Sequence, residues 1–277
     1  MKLYHTTQGI VLEREGRHYP IDADWDTFLN DDDLYGKLTA IADGEEEGAG
    51  AQEKAGELLS VAAGAQEVWA SGVTYYNSKM ARQEESAKAG GGTFYERVYV
   101  ADRPELFFKA TAARTVGAGA QVRIRRDSTW DVPEPELTLV VTASGKIVGY
   151  TIGNDMSSRS IEGENPLYLP QAKTYDGSAA LGPCVLVTEK PLPPDTAIVL
   201  SVRRADEQVF TGETSLGQMK RQPEELVEYL FRECSFPAGC LLMTGTGIVP
   251  GPDFTLQSGD EIHITIEPIG TLINTVA

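Results

Sequence analysis

The stretch that decides the fold is residues 133–155, which read PEPELTLVVTASGKIVGYTIGND. From Leu137 to Val141, every second residue is leucine or valine, and this period of two predicts a β-strand. A second β segment, Ile147–Gly153, follows after a short polar stretch that contains Ser144 and Gly145. We therefore expect an antiparallel hairpin in which Ser144 and Gly145 form a two-residue loop.

Three carboxylates of this hairpin are expected to converge. In a pleated strand, Glu134 and Glu136 project from the same face, roughly 7 Å apart. Pairing across the predicted loop places Asp155 opposite Glu134, with Cβ atoms about 5 Å apart. Like charges at such distances repel unless a cation lies between them. Carboxylate oxygens favour Mg²⁺ or Mn²⁺, so the pattern indicates a divalent metal site, and a solvated acidic strand is the alternative.

The composition argues against several classes of function. The chain has 277 residues with 24 Lys and Arg against 41 Asp and Glu, a net charge of −17. Such an excess repels phosphate backbones and anionic lipid heads, so we expect neither a nucleic-acid nor a membrane partner. The three cysteines form no C-x-x-C pair, which is typical of a reducing compartment. These features predict a soluble, cytoplasmic protein.

Histidine is scarce, and its scarcity limits the chemistry. The chain has three histidines: His5, His18 and His263. His263 lies in a strand of alternating isoleucines and is expected on the wetter face, while the other two lie in a short N-terminal β region. A histidine-based catalytic triad or a poly-histidine zinc site is therefore excluded.

Two domains are predicted. Residues 1–65 form a small N-terminal α/β domain with short strands in its first 22 residues and a helix over Gln52–Ala63. Residues 66–277 form a mainly β domain whose clearest helix is Pro223–Cys234. Within this larger domain, Tyr75–Gly92 is polar and is expected to form a flap over a site.

Further motifs accompany the hairpin in a recognisable order. They are Asn154–Arg159, Lys173, Leu181–Pro183, Gly245–Gly247, Gly259–Asp260 and Ile269–Asn274. Together with the hairpin they resemble the fumarylacetoacetate hydrolase family over about residues 66–277. The resemblance implies an α+β fold that is mainly β, a mixed β-roll, assembled as a homodimer or homotetramer. It also implies Mg²⁺ bound by Glu134, Glu136 and Asp155, in agreement with the hairpin geometry.

Three more segments resemble one branch of this family, the 2-keto-3-deoxy sugar acid dehydratases: Phe107–Thr111, Glu164–Lys173 and Thr244–Gly251. The hydrolase branches carry a water-activating histidine after the first strand, and Val73–Lys79 has none. The resemblance implies Mg²⁺-dependent dehydration of a 2-keto-3-deoxy pentonate, the arabinonate-derived compound or its C4 epimer, to 2,5-dioxopentanoate. An acylpyruvate-type C–C hydrolase or decarboxylase, and a non-catalytic metabolite-binding protein, are the alternatives.

The resemblance also implies roles for individual residues. Lys173 matches the family's active-site lysine, which would move protons or stabilise an enolate oxygen; a Schiff base and a surface charge are the alternatives. Thr246, between two glycines, matches a substrate-contacting threonine.

Five further residues are site candidates from their positions. Arg159 either binds the substrate carboxylate or pairs with acidic neighbours. Glu162 is a candidate for proton transfer at C3 or C4. Ser71 and Tyr75 are candidates for contacts with substrate hydroxyls, with packing or solvation as the alternative. Lys109, at a strand end, is expected to place a positive charge near the carboxylates.

Overall fold

The secondary structure follows the alternation of apolar residues. The computed structural model describes residues 1–44, 64–78 and 97–277, and the strands and helices that do not adjoin the undescribed residues 79–96 are as follows. The strands are β1 Lys2–Thr6, β2 Gly9–Arg14, β3 Arg17–Ile21, β4 Glu67–Gly72, β5 Glu105–Ala110, β6 Thr115–Val116, β7 Gln121–Val122, β8 Asp131–Val132, β9 Pro135–Val141, β10 Ile147–Asp155, β11 Ser157–Ser158, β12 Ala179–Leu186, β13 Ala197–Arg204, β14 Glu207–Ser215, β15 Cys240–Met243, β16 Glu261–Ile266 and β17 Gly270–Val276. The helices are α1 Trp25–Leu29, α2 Leu34–Gly44, α3 Arg159–Glu164, α4 Leu169–Lys173 and α5 Pro223–Phe231, with 3₁₀ turns at Ala112–Arg114, Pro166–Tyr168 and Leu216–Gln218.

Strands β9 and β10 lie in the middle of the larger sheet. Its order is β3-β2-β1-β12-β10-β9-β15-β4-β5, with β6 also paired to β12, and a five-stranded sheet has the order β14-β13-β16-β17-β7. Most pairs are antiparallel, but β15 with β4, β12 with β6 and β17 with β7 are parallel. The predicted mainly β class with mixed sheets is therefore confirmed.

Both faces of the larger sheet are covered by apolar side chains. On one face, Leu137 and Leu139 pack with Leu200 and Ile264 of the five-stranded sheet. On the other face, Val140 belongs to a cluster with residues of the N-terminal strands and of α1 and α2. Because each face of β9 is covered, the whole strand is buried. Burial removes water from around any charged group at the end of this strand.

The predicted N-terminal strands are confirmed, and β1 pairs with β12, so they continue the larger sheet. The division of the chain into domains at residue 65 stays a prediction. The predicted helix Gln52–Ala63, and residues 79–92 of the predicted flap, lie outside the described residues. The predicted helix that begins at Pro223 is confirmed, and it ends at Phe231, earlier than expected.

The predicted hairpin forms with the expected pairing near its open end. Glu136 pairs with Gly153, and the backbone N–H of Asp155 donates to the carbonyl of Glu134 at 2.9 Å. The prediction of a two-residue loop is wrong. The backbone N–H of Thr142 donates to the carbonyl of Lys146, which closes a three-residue loop. A bulge between Ile147 and Gly149 takes up the extra residue, so the pairing beyond it is unchanged.

Candidate active site

Three buried carboxylates meet at the open end of the hairpin. Glu134 directly precedes β9, Glu136 lies on β9, and Asp155 ends β10. One carboxylate oxygen from each lies within 4.8 Å of the others, and all three residues are buried. The convergence predicted from the strand period and the hairpin is therefore present in the structure.

Close packing around Gly153 lets the strands approach at this point. A Cβ atom at Gly153 would lie 2.4 Å from Oγ1 of Thr138 and 2.9 Å from the methyl carbon of Met243. A side chain at this position would therefore push β10 away from its neighbours. Glycine here keeps Asp155 in reach of the two glutamates.

The environment of Glu136 perturbs its pKa. Burial raises its pKa well above the ordinary value, and the charges of Asp155 and Glu134 raise the pKa further. The backbone N–H of Gly245 donates to Oε2 of Glu136 at 2.5 Å and opposes this shift. Gly245 has φ +91°, and a Cβ there would lie 2.0 Å from Oγ1 of Thr74, so only glycine brings this N–H so close.

Lys173 links the carboxylates. It is fully buried at the end of α4, and its Nζ donates to Oε2 of Glu134 at 2.6 Å and to Oδ2 of Asp155 at 3.0 Å. A third contact is with Oγ of Ser157 at 2.6 Å. The structure thus places Lys173 inside the site and not at the surface.

Arg159 and Glu162 both lie on α3 and both face the cluster. Nη2 of Arg159 donates to Oε1 of Glu134 at 2.7 Å, so in this structure the guanidinium pairs with an acidic neighbour. The carboxylate of Glu162 is 3.8 Å from Nη1 of Arg159 and 3.9 Å from Nζ of Lys173. Glu162 therefore lies near both Arg159 and Lys173, and a small movement would bring its carboxylate into hydrogen-bond distance of either one.

Lys109 supports the cluster from β5. Its Nζ is 2.6 Å from Oδ1 of Asp155 and donates to the carbonyls of Met156, at 3.0 Å, and Lys173. Burial lowers the pKa of Lys109, and the charge of Asp155 acts in the opposite direction. The predicted positive charge near the carboxylates is present.

A small pocket opens beside these groups. Its volume is about 10 Å³, and its lining residues are Ser71, Gly72, Val73, Ser78, Phe107, Glu134, Arg159, Lys173 and Thr246. Two larger grooves, of about 660 and 570 Å³, lie beside α5, and neither is lined by a carboxylate of the cluster. The chemistry of its lining, rather than its volume, makes the small pocket the candidate functional site.

The remaining candidates differ in how they face this pocket. Oγ of Ser71 is buried and makes no hydrogen bond with the described residues. Thr246 lines the pocket, but its Oγ1 bonds locally with the backbone of Ile248. Tyr75 is not a lining residue. Its buried hydroxyl also has no hydrogen-bond partner among the described residues, and burial, followed by the charge of Glu136, raises its pKa.

Sequence reasoning missed two groups of the site. The backbone N–H of Gly245 and the hydroxyl of Ser157 hold Glu136 and Lys173 respectively. A backbone N–H cannot be recognised from the residue type, so the role of Gly245 could not be predicted. Ser157 is one of several serines after Asp155, and only its position two residues from a carboxylate distinguishes it.

None of the three histidines lies at the site. His5 stacks on Trp25 with ring centroids 4.5 Å apart, His18 lies on β3, and His263 lies on β16 beside Glu261 at 3.3 Å. The site therefore contains carboxylates, two lysines and an arginine as its ionisable groups within the described ranges. This donor set fits a hard divalent cation, because three carboxylate oxygens can bind it and a soft thiolate or imidazole ligand is not among them.

Comparisons with known proteins agree with this geometry. The family model for the fumarylacetoacetate (FAA) hydrolase C-terminal region matches residues 68–277. A protein of Haloferax volcanii described as a probable 2-keto-3-deoxyxylonate dehydratase is 51% identical over 213 residues, which cover 76% of this chain and 72% of that protein. The 2-dehydro-3-deoxy-D-arabinonate dehydratase of Saccharolobus solfataricus is 47% identical over 212 residues, covering 76% of this chain and 71% of that enzyme.

Solved structures extend the similarity to the whole chain. A hexagonal crystal form of 2-keto-3-deoxyarabinonate dehydratase superposes with a TM-score of 0.88 at 37% identity, covering 100% of this chain and 99% of that one. The structure of 2-keto-3-deoxy-D-arabinonate dehydratase complexed with magnesium and 2,5-dioxopentanoate gives a TM-score of 0.81 at 36% identity, covering 100% and 98%. The family model and the relative at 51% identity each match about three quarters of this chain. The chain therefore belongs to the fumarylacetoacetate hydrolase family.

Proposed function

We propose that this protein is a Mg²⁺-dependent dehydratase that converts a 2-keto-3-deoxy pentonate, 2-dehydro-3-deoxy-D-arabinonate or its C4 epimer, to 2,5-dioxopentanoate. The observation that carries the proposal is the buried trio of Glu134, Glu136 and Asp155 with Lys173 bonded to two of its members. The two dehydratases at 51% and 47% identity, and the similar structure that contains magnesium and 2,5-dioxopentanoate, support this assignment.

Glu134, Glu136 and Asp155 would hold the metal ion, Mg²⁺ or Mn²⁺. When bound, the ion acts as a Lewis acid that polarises the C2 carbonyl of a 2-keto acid and makes the C3 proton more acidic. The residues around it fit this task, because the site is closed to bulk solvent and its charges act at low dielectric.

Lys173 and Glu162 are the proton-transfer groups of the proposal. One removes the C3 proton, and the other donates a proton to the C4 hydroxyl as it leaves as water. Tautomerisation through C5 then returns a proton to carbon and yields the terminal aldehyde, so the net change is the loss of one water. The two side chains lie 3.9 Å apart, so both are placed beside the same part of a bound substrate.

Arg159, Thr246, Ser71 and Tyr75 are the substrate-binding groups of the proposal. Arg159 is suited to the substrate carboxylate because a guanidinium forms paired hydrogen bonds with such groups. Thr246 lines the same pocket and would contact the keto acid there. The hydroxyls of Ser71 and Tyr75 would bind the substrate hydroxyls, since each is buried without a partner among the described residues.

A substrate panel tests the proposal directly. A set of 2-keto-3-deoxy sugar acids is assayed for aldehyde formation in the presence and absence of EDTA, and acylpyruvates are assayed for pyruvate release. We expect 2,5-dioxopentanoate from a 2-keto-3-deoxy pentonate, loss of turnover with EDTA and recovery with excess Mg²⁺. Pyruvate release from an acylpyruvate without dehydration would favour the C–C hydrolase or decarboxylase.

Replacing Ser71 with alanine is expected to raise KM for the pentonate about tenfold with little change in kcat. The reason is that one hydrogen bond to a substrate hydroxyl, worth on the order of 1 kcal/mol, is lost in ground and transition states alike. Inhibition by 2-oxopentanoate, which has no hydroxyl to bind, should be unchanged. Ser201→Ala on β13, whose hydroxyl bonds to Gln208, is the matched control. An unchanged KM in Ser71→Ala contradicts the assignment.

We also propose a cytoplasmic homodimer or homotetramer. All three cysteines are free in the structure, as expected of a reducing compartment. Among the described residues, there is no helix whose length and apolar content would allow it to cross a membrane. Light scattering coupled to size-exclusion chromatography measures the assembly, and a monomer at micromolar concentration would contradict it.

A further inference from the structure

Lys109 is fully buried, and three oxygen atoms surround its amino group. Its Nζ donates to the carbonyls of Met156 and Lys173, and it forms an ion pair with Oδ1 of Asp155 at 2.6 Å. Each of these oxygens carries a negative or partial negative charge, so these contacts favour the charged ammonium form. Lys109 is not among the residues that line the pocket. Lys109 therefore acts on the site through its charge and through its contact with Asp155, from outside the pocket lining.

The charges of the contact network nearly cancel. Three carboxylates, on Glu134, Asp155 and Glu162, lie within 4 Å of three cations, on Lys109, Lys173 and Arg159. Glu136, which lies beside Glu134 and Asp155, adds a fourth carboxylate to this network. With all of them ionised, these described side chains carry one negative charge. A doubly charged ion makes the network positive by one, and a 2-keto acid, which carries one negative charge, makes it neutral. Without Lys109, the loaded network would be neutral before the acid binds.

We propose that Lys109 sets the charge of this site: it weakens the binding of the divalent ion and strengthens the binding of the 2-keto acid anion. The inference rests on the proposed function and assigns this residue a role in substrate binding without contact. The physical reason is that a fixed positive charge 2.6 Å from the carboxylate of Asp155 would repel a cation held there and attract an anion beside it, in a medium of low dielectric. If Lys109 had only a structural role, its replacement would distort the site and lower the affinity for both the divalent ion and the 2-keto acid.

Lys109→Met tests this by isothermal titration calorimetry, with Mg²⁺ alone as the first probe and pyruvate added to the Mg²⁺-saturated protein as the second. We expect the Kd for Mg²⁺ to fall at least about tenfold and the Kd for pyruvate to rise about tenfold. Oxalate, with two negative charges, should lose more affinity than pyruvate, about a hundredfold, because an electrostatic effect scales with the charge of the ligand. Equal losses for pyruvate and oxalate would indicate distortion and overturn the proposal.

Two further variants keep the test decisive if Lys109→Met does not fold. Lys109→Gln retains a side-chain donor near Asp155 but no charge, and it should produce the same opposite shifts. Glu162→Gln removes a negative charge from the same network, so it should weaken Mg²⁺ binding and strengthen pyruvate binding. Shifts of the same sign for both ligands in these variants would overturn the role of Lys109.

Lys146→Met is the matched control. Lys146 lies at the far end of the hairpin, where its Nζ donates to the carbonyl of Asp32, and both affinities should equal those of the unmodified protein. If the unmodified protein itself binds no Mg²⁺, the proposed function fails together with this inference. If it binds both ligands, and Lys109→Met shifts neither affinity or shifts both in one direction, only this inference fails.

Discussion

Glu136→Gln is expected to abolish Mg²⁺-dependent turnover while the protein stays folded. Glutamine keeps the size of the side chain and an oxygen that accepts from the N–H of Gly245, but it removes one of the three carboxylates. Lewis-acid polarisation of a carbonyl is worth several kcal/mol, so we expect kcat/KM to fall by at least about 10³. The measurement is aldehyde formation at saturating Mg²⁺, with circular dichroism to establish folding.

Thermal unfolding gives a second measurement for the same variant. Mg²⁺ should raise the melting temperature of the unmodified protein, because it binds the folded state, and this rise should be lost in Glu136→Gln. Glu224→Gln, on the surface helix α5, is a matched control that should retain both the activity and the rise. Turnover in Glu136→Gln equal to that of the unmodified protein would contradict the assignment of Glu136 as a metal ligand.

The same variant also changes how stability depends on pH without metal. Because the pKa of Glu136 is raised in the folded state, the folded protein binds more protons than the unfolded protein above the ordinary pKa of 4.5. The stability associated with this group is fully present below that pH and declines as the pH rises through the raised pKa. We therefore expect a smaller decline in the glutamine variant, measured by urea unfolding in EDTA.

Lys173→Met is expected to lower kcat by about 10³ without weakening Mg²⁺ binding. A positioned proton-transfer group contributes roughly 10²–10⁴ to the rate, and methionine fills the space of the buried side chain without carrying a proton. Removing an ammonium bonded to Glu134 and Asp155 also leaves the carboxylates more available to a cation. Calorimetry gives the Mg²⁺ affinity, and steady-state kinetics give kcat and KM separately.

The opposite pattern would make Lys173 a structural residue. If Mg²⁺ affinity falls and kcat at saturating metal is retained, the lysine serves to hold the carboxylates and not to move protons. Treatment of the unmodified enzyme with substrate and borohydride tests the remaining alternative, because a Schiff base at Lys173 would be trapped as an adduct detected by mass spectrometry. We expect no adduct.

The metal-binding part of the site could be predicted from sequence because it depends on local rules. The period of two assigns Glu134 and Glu136 to one face, and hairpin pairing brings Asp155 opposite them. The predicted loop was one residue too short, yet the pairing near Asp155 was still correct because the bulge before Gly149 compensates for the longer loop.

The contacts around these carboxylates depend on longer-range packing and could not be predicted in the same way. The pairing of Arg159 with Glu134 requires the orientation of α3, which no local pattern specifies. The bond from Gly245 to Glu136 joins positions more than a hundred residues apart through the pairing of β15 with β9. Lys173 was found through the family resemblance, since one lysine in a sequence gives no indication of burial.

The bulge in the hairpin has a consequence for the tolerance of the chain to insertions and deletions. Val148 is the residue without a partner in the ladder. It is therefore an extra residue between the hairpin loop and the carboxylates at the open end of the hairpin. A residue lost from the loop can be matched by straightening this kink, and the metal-binding geometry survives. Between Gly149 and Asn154 the ladder has no unpaired residue that could compensate for a deletion. A deletion there would turn Asp155 to the opposite face of the sheet, and the proposed metal site would keep only Glu134 and Glu136.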